Sequence, residues 1–176
     1  MKNIVVYTSQ TGFTEKYAKL LGERIQAEVL TLKEAKKKPK EYFADADCIV
    51  YGGWAMAGKV SGSAWFTKKI DSWKGKRLAL FCVGASPIDA PDVETCLSKA
   101  IDDEQKQYVK AFYCQGGLCY EKMGTPSRMA MKAFASMLAK RKNQTEDQKL
   151  MAKMVAQNYD ISDPKFLDPI VAYVKG

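Results

Sequence analysis

Val5-Val6-Tyr7-Thr8-Ser9-Gln10-Thr11-Gly12-Phe13-Thr14 is the stretch that decides the fold. Ile4 to Tyr7 is apolar, β-branched and aromatic, the length of one buried strand. Five of the seven residues from Thr8 to Thr14 are hydroxyl residues or glycine. Phe13, Tyr17, Leu20, Leu21 and Ile25 then recur at helical spacing. The order is strand, polar turn, helix. The first N–H groups of a helix lack internal partners, and the helix dipole places partial positive charge there. Small side chains admit an anion and hydroxyls donate to it, so the turn is a phosphate-site candidate. An ordinary N-capped helix, in which Ser and Thr satisfy backbone donors, is the competing reading.

The turn has no Gly-Lys-Ser/Thr ending of the kind that holds the β and γ phosphates of a nucleoside triphosphate. It also lacks the Gly-x-Gly-x-x-Gly of dinucleotide sites. No acidic pair follows the first strand, as a phospho-acceptor domain would need.

Further along, Glu28 to Leu32 reads as a second strand, and the lysine-rich run Lys33 to Lys40 as a solvated loop or short helix. Asp47 to Tyr51 is a third strand ending at Gly52-Gly53, followed by a glycine-rich loop that carries Trp54, Ala55 and Met56. Trp65, Phe66, Ile70 and Trp73 follow on one helical face. Arg77 to Val83 is a fourth strand, with a loop from Gly84 to Pro91 and a helix through Val93, Leu97, Ala100 and Ile101. Tyr108 to Cys114 is a fifth, ending in Gln115-Gly116-Gly117, and a last helix carries Leu167, Ile170, Val171 and Val174.

Strands alternating with helices predict a parallel sheet covered on both faces. Right-handed crossovers give a doubly wound α/β sheet of five strands in the order 2-1-3-4-5. Ligands in such sheets bind at the carboxyl ends of strands one and three, where the winding reverses. The loops Thr8 to Thr14, Gly53 to Gly62, Gly84 to Pro91 and Gly116 to Lys122 converge there. Residues 123–157 exceed this plan and are expected to be a helical insertion in one domain spanning 1–176. Lys122 to Lys153 carries eight basic and two acidic residues, most of the chain's net charge of +8.

The 176 residues can bury roughly two thirds of their unfolded surface. No apolar run approaches the ~18 residues of a membrane span, and because Met1-Lys2-Asn3 leads directly into the first strand no signal peptide is expected. Five cysteines without a Cys-x-x-Cys fit a reducing cytoplasm. The chain has no histidine, which argues against zinc chemistry and Ser-His-Asp hydrolysis and for a bound cofactor that carries the chemistry. No metal site is expected, and no catalytic side chain stands out beyond Tyr120 and Lys122 by position.

Ser9-x-Thr11-Gly12-x-Thr14 resembles the phosphate loop of the flavodoxins, which hold the phosphate of FMN without a lysine. With Tyr51 to Gly62, Gly116 to Tyr120 and the basic helical insertion, the chain resembles, within that superfamily, the branch of menaquinone-dependent protoporphyrinogen IX dehydrogenases. The resemblance implies that Ser9, Gln10, Thr11, Gly12, Phe13 and Thr14 hold the FMN phosphate. It implies that Gly53, Trp54, Ala55 and Met56 lie along the flavin ring, and Gly84, Ala85 and Ser86 near its pyrimidine edge. Gly117 joins them from the loop after strand five.

Three readings follow: an FMN-dependent oxidoreductase with a quinone or similar small acceptor, a soluble flavodoxin-type electron carrier docking to redox proteins, and a binding protein that keeps the fold without the flavin. A charge of +8 fits poorly with the acidic docking surface of such carriers. No nucleic-acid partner is expected. The Met-rich basic helices of 123–157 are expected to pack on the domain, to pair with a second copy, or to lie on the inner face of an anionic membrane.

Overall fold

The computed structural model describes residues 1–56 and 58–176, so Ala57 of the glycine-rich loop lies outside the described residues. In chain order the elements are β1 (Asn3–Tyr7), α1 (Phe13–Ile25), β2 (Ala27–Thr31), α2 (Leu32–Ala35), β3 (Cys48–Met56), β4 (Lys59–Val60), α3 (Ala64–Thr67), β5 (Arg77–Gly84), α4 (Pro91–Ala100), β6 (Val109–Gln115), β7 (Gly117–Leu118), α5 (Thr125–Ala139), α6 (Glu146–Val155), β8 (Tyr159–Asp160) and α7 (Asp168–Lys175).

The main sheet runs β2-β1-β3-β5-β6, and these five strands are all parallel. Counting parallel strands alone, this is the expected order 2-1-3-4-5. Every residue of β1 is buried because helices cover both faces. Ile4 and Val6 point into one core, with Leu78, Leu80 and Phe66; Val5 and Tyr7 point into the other, with Tyr17, Leu21 and Ile170. α1 and α7 cover this second face, and α3 and α4 the first. Asn3, also buried, donates from its amide to the Ile25 carbonyl at 2.7 Å, tying the end of α1 back to the sheet.

Two expectations are corrected. The third strand does not stop at Gly52-Gly53: Gly52 pairs with Phe81 and Gly53 with Cys82, and β3 continues through Trp54, Ala55 and Met56. It then folds back on β4, with Ala55 opposite Val60 and Met56 opposite Lys59. Nor do Trp65, Phe66, Ile70 and Trp73 share one helix. They divide between α3 and a separate 3-10 turn, Ile70–Trp73. Packing decides over helical period here. Trp65 and Trp73 lie 5.6 and 5.5 Å from Phe43 between ring centroids, and Phe66 lies 5.9 Å from Tyr51.

Residues 123–157 hold α5 and α6, which pack on one another and onto a small third core of Leu118, Met123 and Val155. The five cysteines are free thiols, four of them buried.

Candidate functional site

The carboxyl ends of β1, β3 and β5 open onto one cleft. The chain leaves β1 with the Thr8 amide donating to the Gly52 carbonyl at 3.0 Å, which holds the start of the turn against β3. Gly12 then takes φ +99, a left-handed conformation that glycine adopts without the penalty of a Cβ. This reverses the chain into α1. The first intrahelical bond runs from the Lys16 amide to the Gly12 carbonyl at 2.9 Å, so the N–H groups of Phe13, Thr14 and Glu15 precede the helical ladder.

No side chain caps this helix. Ser9 Oγ instead accepts the Gly12 N–H at 3.2 Å, inside the turn. An ordinary N-cap would have consumed one of the free helical donors. The arrangement presents backbone donors and dipole to the cleft, as a phosphate requires.

The cleft has a volume of about 430 Å³. Gln10, Thr11, Phe13 and Thr14 form one end. Trp54, Ala55 and Met56 form a wall from the extended β3, and Val83, Gly84 and Ala85 come from the end of β5. Gly117 and Leu118 of β7 and a side of α5, with Met131 and Ala130, close it. Among the described residues that line it, none is ionisable.

Ten of the fourteen residues expected at a ligand site are thereby brought together. The other four stand just behind. Ser9 and Gly12 shape the turn. Gly53 lies against β4, where a Cβ would come within 2.5 Å of the Ser61 carbonyl oxygen. Ser86 turns toward α4, donating from Oγ to Asp92 at 2.6 Å. The wall from α5 had no sequence signal. Met131 belongs to a helical apolar pattern, and such a pattern does not say which surface it meets.

Two phenols, the half-buried Tyr159 and the buried Tyr113, hold the backbone at the edge of the cleft. Tyr159 Oη donates to the Ala85 carbonyl at 2.7 Å, and burial pushes its pKa up to about 12. Tyr113 Oη donates to the Ser86 carbonyl at 2.8 Å and is likewise raised by burial. Both stay protonated donors at neutral pH and fix the backbone of 84–86. Gln115 accepts from the Ile88 amide at 2.7 Å and donates to the Ile161 carbonyl at 3.3 Å, joining that loop to the segment after β8. Tyr120, weighed above as an acid or base, donates to the Val155 carbonyl and serves to tie the 120–122 turn to α6. A larger, shallower groove of about 800 Å³ runs along edge strand β6, away from the turn before α1.

The sequence matches the family model of the flavodoxin domain over residues 4–146. No curated protein matches it. Among solved structures, the chain is similar to a flavodoxin, WrbA-like protein from Agrobacterium tumefaciens, at 19% identity over 88% of this chain and 94% of that one, with a TM-score of 0.45. It is similar to the two-electron reduced flavodoxin of Megasphaera elsdenii at 18% identity over 88% and 98%, TM-score 0.44. A flavodoxin from the domain Archaea aligns over the whole of both chains at 16% identity, TM-score 0.42.

Proposed function

The chain belongs to the flavodoxin domain family, and from that premise we propose that it is an FMN-dependent oxidoreductase whose redox partner is a small apolar molecule of the quinone type. The observation that carries this is the junction of two environments in one cleft. Uncapped backbone donors at the start of α1 meet an apolar slot without an ionisable lining residue among those described. FMN has the same two halves, a phosphate and a flat ring. Its bound ring would supply the electron and hydride transfer for which the lining side chains have no group.

The residues divide the work. Phe13 to Glu15 offer backbone N–H groups to the phosphate, and Thr11 and Thr14 offer hydroxyls. Trp54 gives the ring a face to stack on. Trp65 and Trp73, by contrast, are spent in the core. Gly84 and Ala85, held by Tyr113 and Tyr159, bring backbone to the ring edge. Met131 and Ala130 of α5 keep water from the slot. We read α5 and α6 as an insertion into a single FMN-binding domain. The finer placement, among the menaquinone-dependent protoporphyrinogen IX dehydrogenases, rests on Gly116 to Tyr120 and on this insertion. A tetrapyrrole substrate carries carboxylates, and no basic residue lines the slot among those described, so an uncharged quinone suits it better.

Titration of the apoprotein tests this. One FMN per chain is expected, and riboflavin should bind at least about a hundredfold more weakly, since two charge-assisted hydrogen bonds to phosphate are worth about 3 kcal/mol or more. Riboflavin binding as tightly as FMN, or tighter binding of FAD, would overturn the assignment. Between about pH 5 and 8 the pH profile should follow the phosphate: affinity is level at about pH 7–8 and falls below about pH 6, where a phosphate monoester takes up its proton and loses charge. Rapid reoxidation of the reduced holoprotein by a soluble naphthoquinone supports the oxidoreductase reading. Inertness to quinones with rapid transfer to a redox protein supports the electron carrier.

A further inference from the structure

From Lys122 to Gln144 the chain has six basic side chains and no acidic one. α5 occupies most of this stretch. Its inner side packs normally: Ala135 is buried, and Met131 and Leu138 are half-buried against the third core. The outer side is unusual. Met129 and Met137 are 66% and 56% exposed, Ala133 between them is exposed, and Phe134 is exposed beside them. Met129, Ala133 and Met137 are four residues apart, so they form one stripe on the solvent side of the helix, where polar residues are usual. Lys132 flanks the stripe, and Lys140, Arg141 and Lys142 follow its end. Leu150 and Met151 of α6 are exposed as well.

We propose that this outer face of α5 docks on an anionic lipid surface. The stripe needs hydrocarbon, and the cations around it need phosphates. A membrane surface offers both in one layer, with side chains such as Met137 at the acyl boundary and lysines among the headgroups. A second copy would satisfy the stripe, but a two-fold contact sets the same patch against itself, basic residues against basic residues. A nucleic acid would satisfy the cations and leave the stripe in water. α5 has 15 residues, about 22 Å of helix, short of the ~30 Å of hydrocarbon in a bilayer, so it lies in the plane of the surface.

The stripe is continuous with the cleft. Pro126 and Ala130 line the slot and are also exposed, one turn or less from Met129. Docking therefore places lipid at the cleft mouth, where an apolar redox partner would enter from the membrane. That consequence rests on the function proposed above; the docking surface itself does not.

Vesicle flotation of the full chain, with and without FMN, tests the surface. The protein is expected to float with phosphatidylcholine vesicles containing phosphatidylglycerol at low salt, to stay down with phosphatidylcholine alone, and to be released by salt. Each basic residue at an anionic surface raises partitioning about fivefold, so K140A/R141A/K142A should lower it about a hundredfold. M129E/M137E should abolish flotation while keeping the circular dichroism of the parent. Three results overturn the proposal: no flotation with anionic vesicles, both variants floating like the parent, or a dimer in sedimentation that M129E/M137E dissociates. FMN content is read from the same fractions by absorbance, so failure of flavin binding and failure of docking are separately visible.

Discussion

Replacing Thr11 with aspartate is expected to lower FMN affinity by two to three decades and to leave the apoprotein at least as stable as the parent. Thr11 is half-buried, lines the cleft, and directly precedes the Gly12 turn into α1. Aspartate is close to threonine in size, so the change is mainly one of charge. A phosphate bound to the amides of Phe13 to Glu15 would have the new carboxylate as a neighbour. Two like charges about 5 Å apart cost roughly 3 kcal/mol at the effective dielectric of a protein surface, which is two decades or more. In the free protein the sign reverses. The same carboxylate sits beside the positive end of the helix dipole and is worth about 0.3–1 kcal/mol to the fold. A fluorescence titration and a thermal melt of the apoprotein read the two effects separately. Thr11→Ser should stay near the parent in both. Retained FMN affinity in the aspartate variant would move the phosphate away from α1 and remove the foundation of the assignment.

The turn could be read so far because its physics is local. A buried strand, a hydroxyl-rich reversal and an amphipathic helix each leave a pattern within ten to fifteen residues, and right-handed crossovers carry that pattern to a sheet order. Gly52-Gly53 misled for the opposite reason. Glycine is scarce in strands and reads as an end. Here the space above each glycine is filled from elsewhere in the chain: the Phe81 ring comes within 2.1 Å of where a Cβ of Gly52 would lie, and Val60 within 2.7 Å for Gly53. Glycine inside a strand marks close approach as well as termination, and only the partner's position tells which. β7 and β8, two residues each, fall below any periodic signal. In α5 the difficulty is that both sides are apolar. Met131 and Leu138 face inward while Met129 and Met137 face outward, so the pattern announces a helix without saying which side meets the cleft.

Gly117→Ala is expected to cost about 3 kcal/mol of stability and to weaken FMN binding at the same time. Gly117 lines the cleft from β7, opposite Asp160 of β8. A Cβ there would stand 2.0 Å from the Tyr159 carbonyl oxygen, 2.9 Å from its carbon and 3.0 Å from Asp160 Cα. All three are backbone atoms, so no side-chain rotation relieves the clash and β8 itself must move. Overpacking of this kind costs about 1–3 kcal/mol. The movement carries Tyr159 with it. Its hydroxyl then loses the Ala85 carbonyl, at about 1 kcal/mol for the hydrogen bond, and the 84–86 loop loses its support. In a chain of this size 3 kcal/mol corresponds to roughly 6–12 °C in melting temperature. Gly124→Ala is the control. Its backbone is extended and its nearest neighbour, Gln10 Nε2, lies at an ordinary 3.5 Å, so it should melt with the parent and bind FMN as tightly. A Gly117→Ala protein that melts together with the Gly124→Ala control would mean that β8 yields freely. The β7–β8 ribbon would then be a cover that the cleft does without, and Tyr159 would no longer count among the groups that shape it.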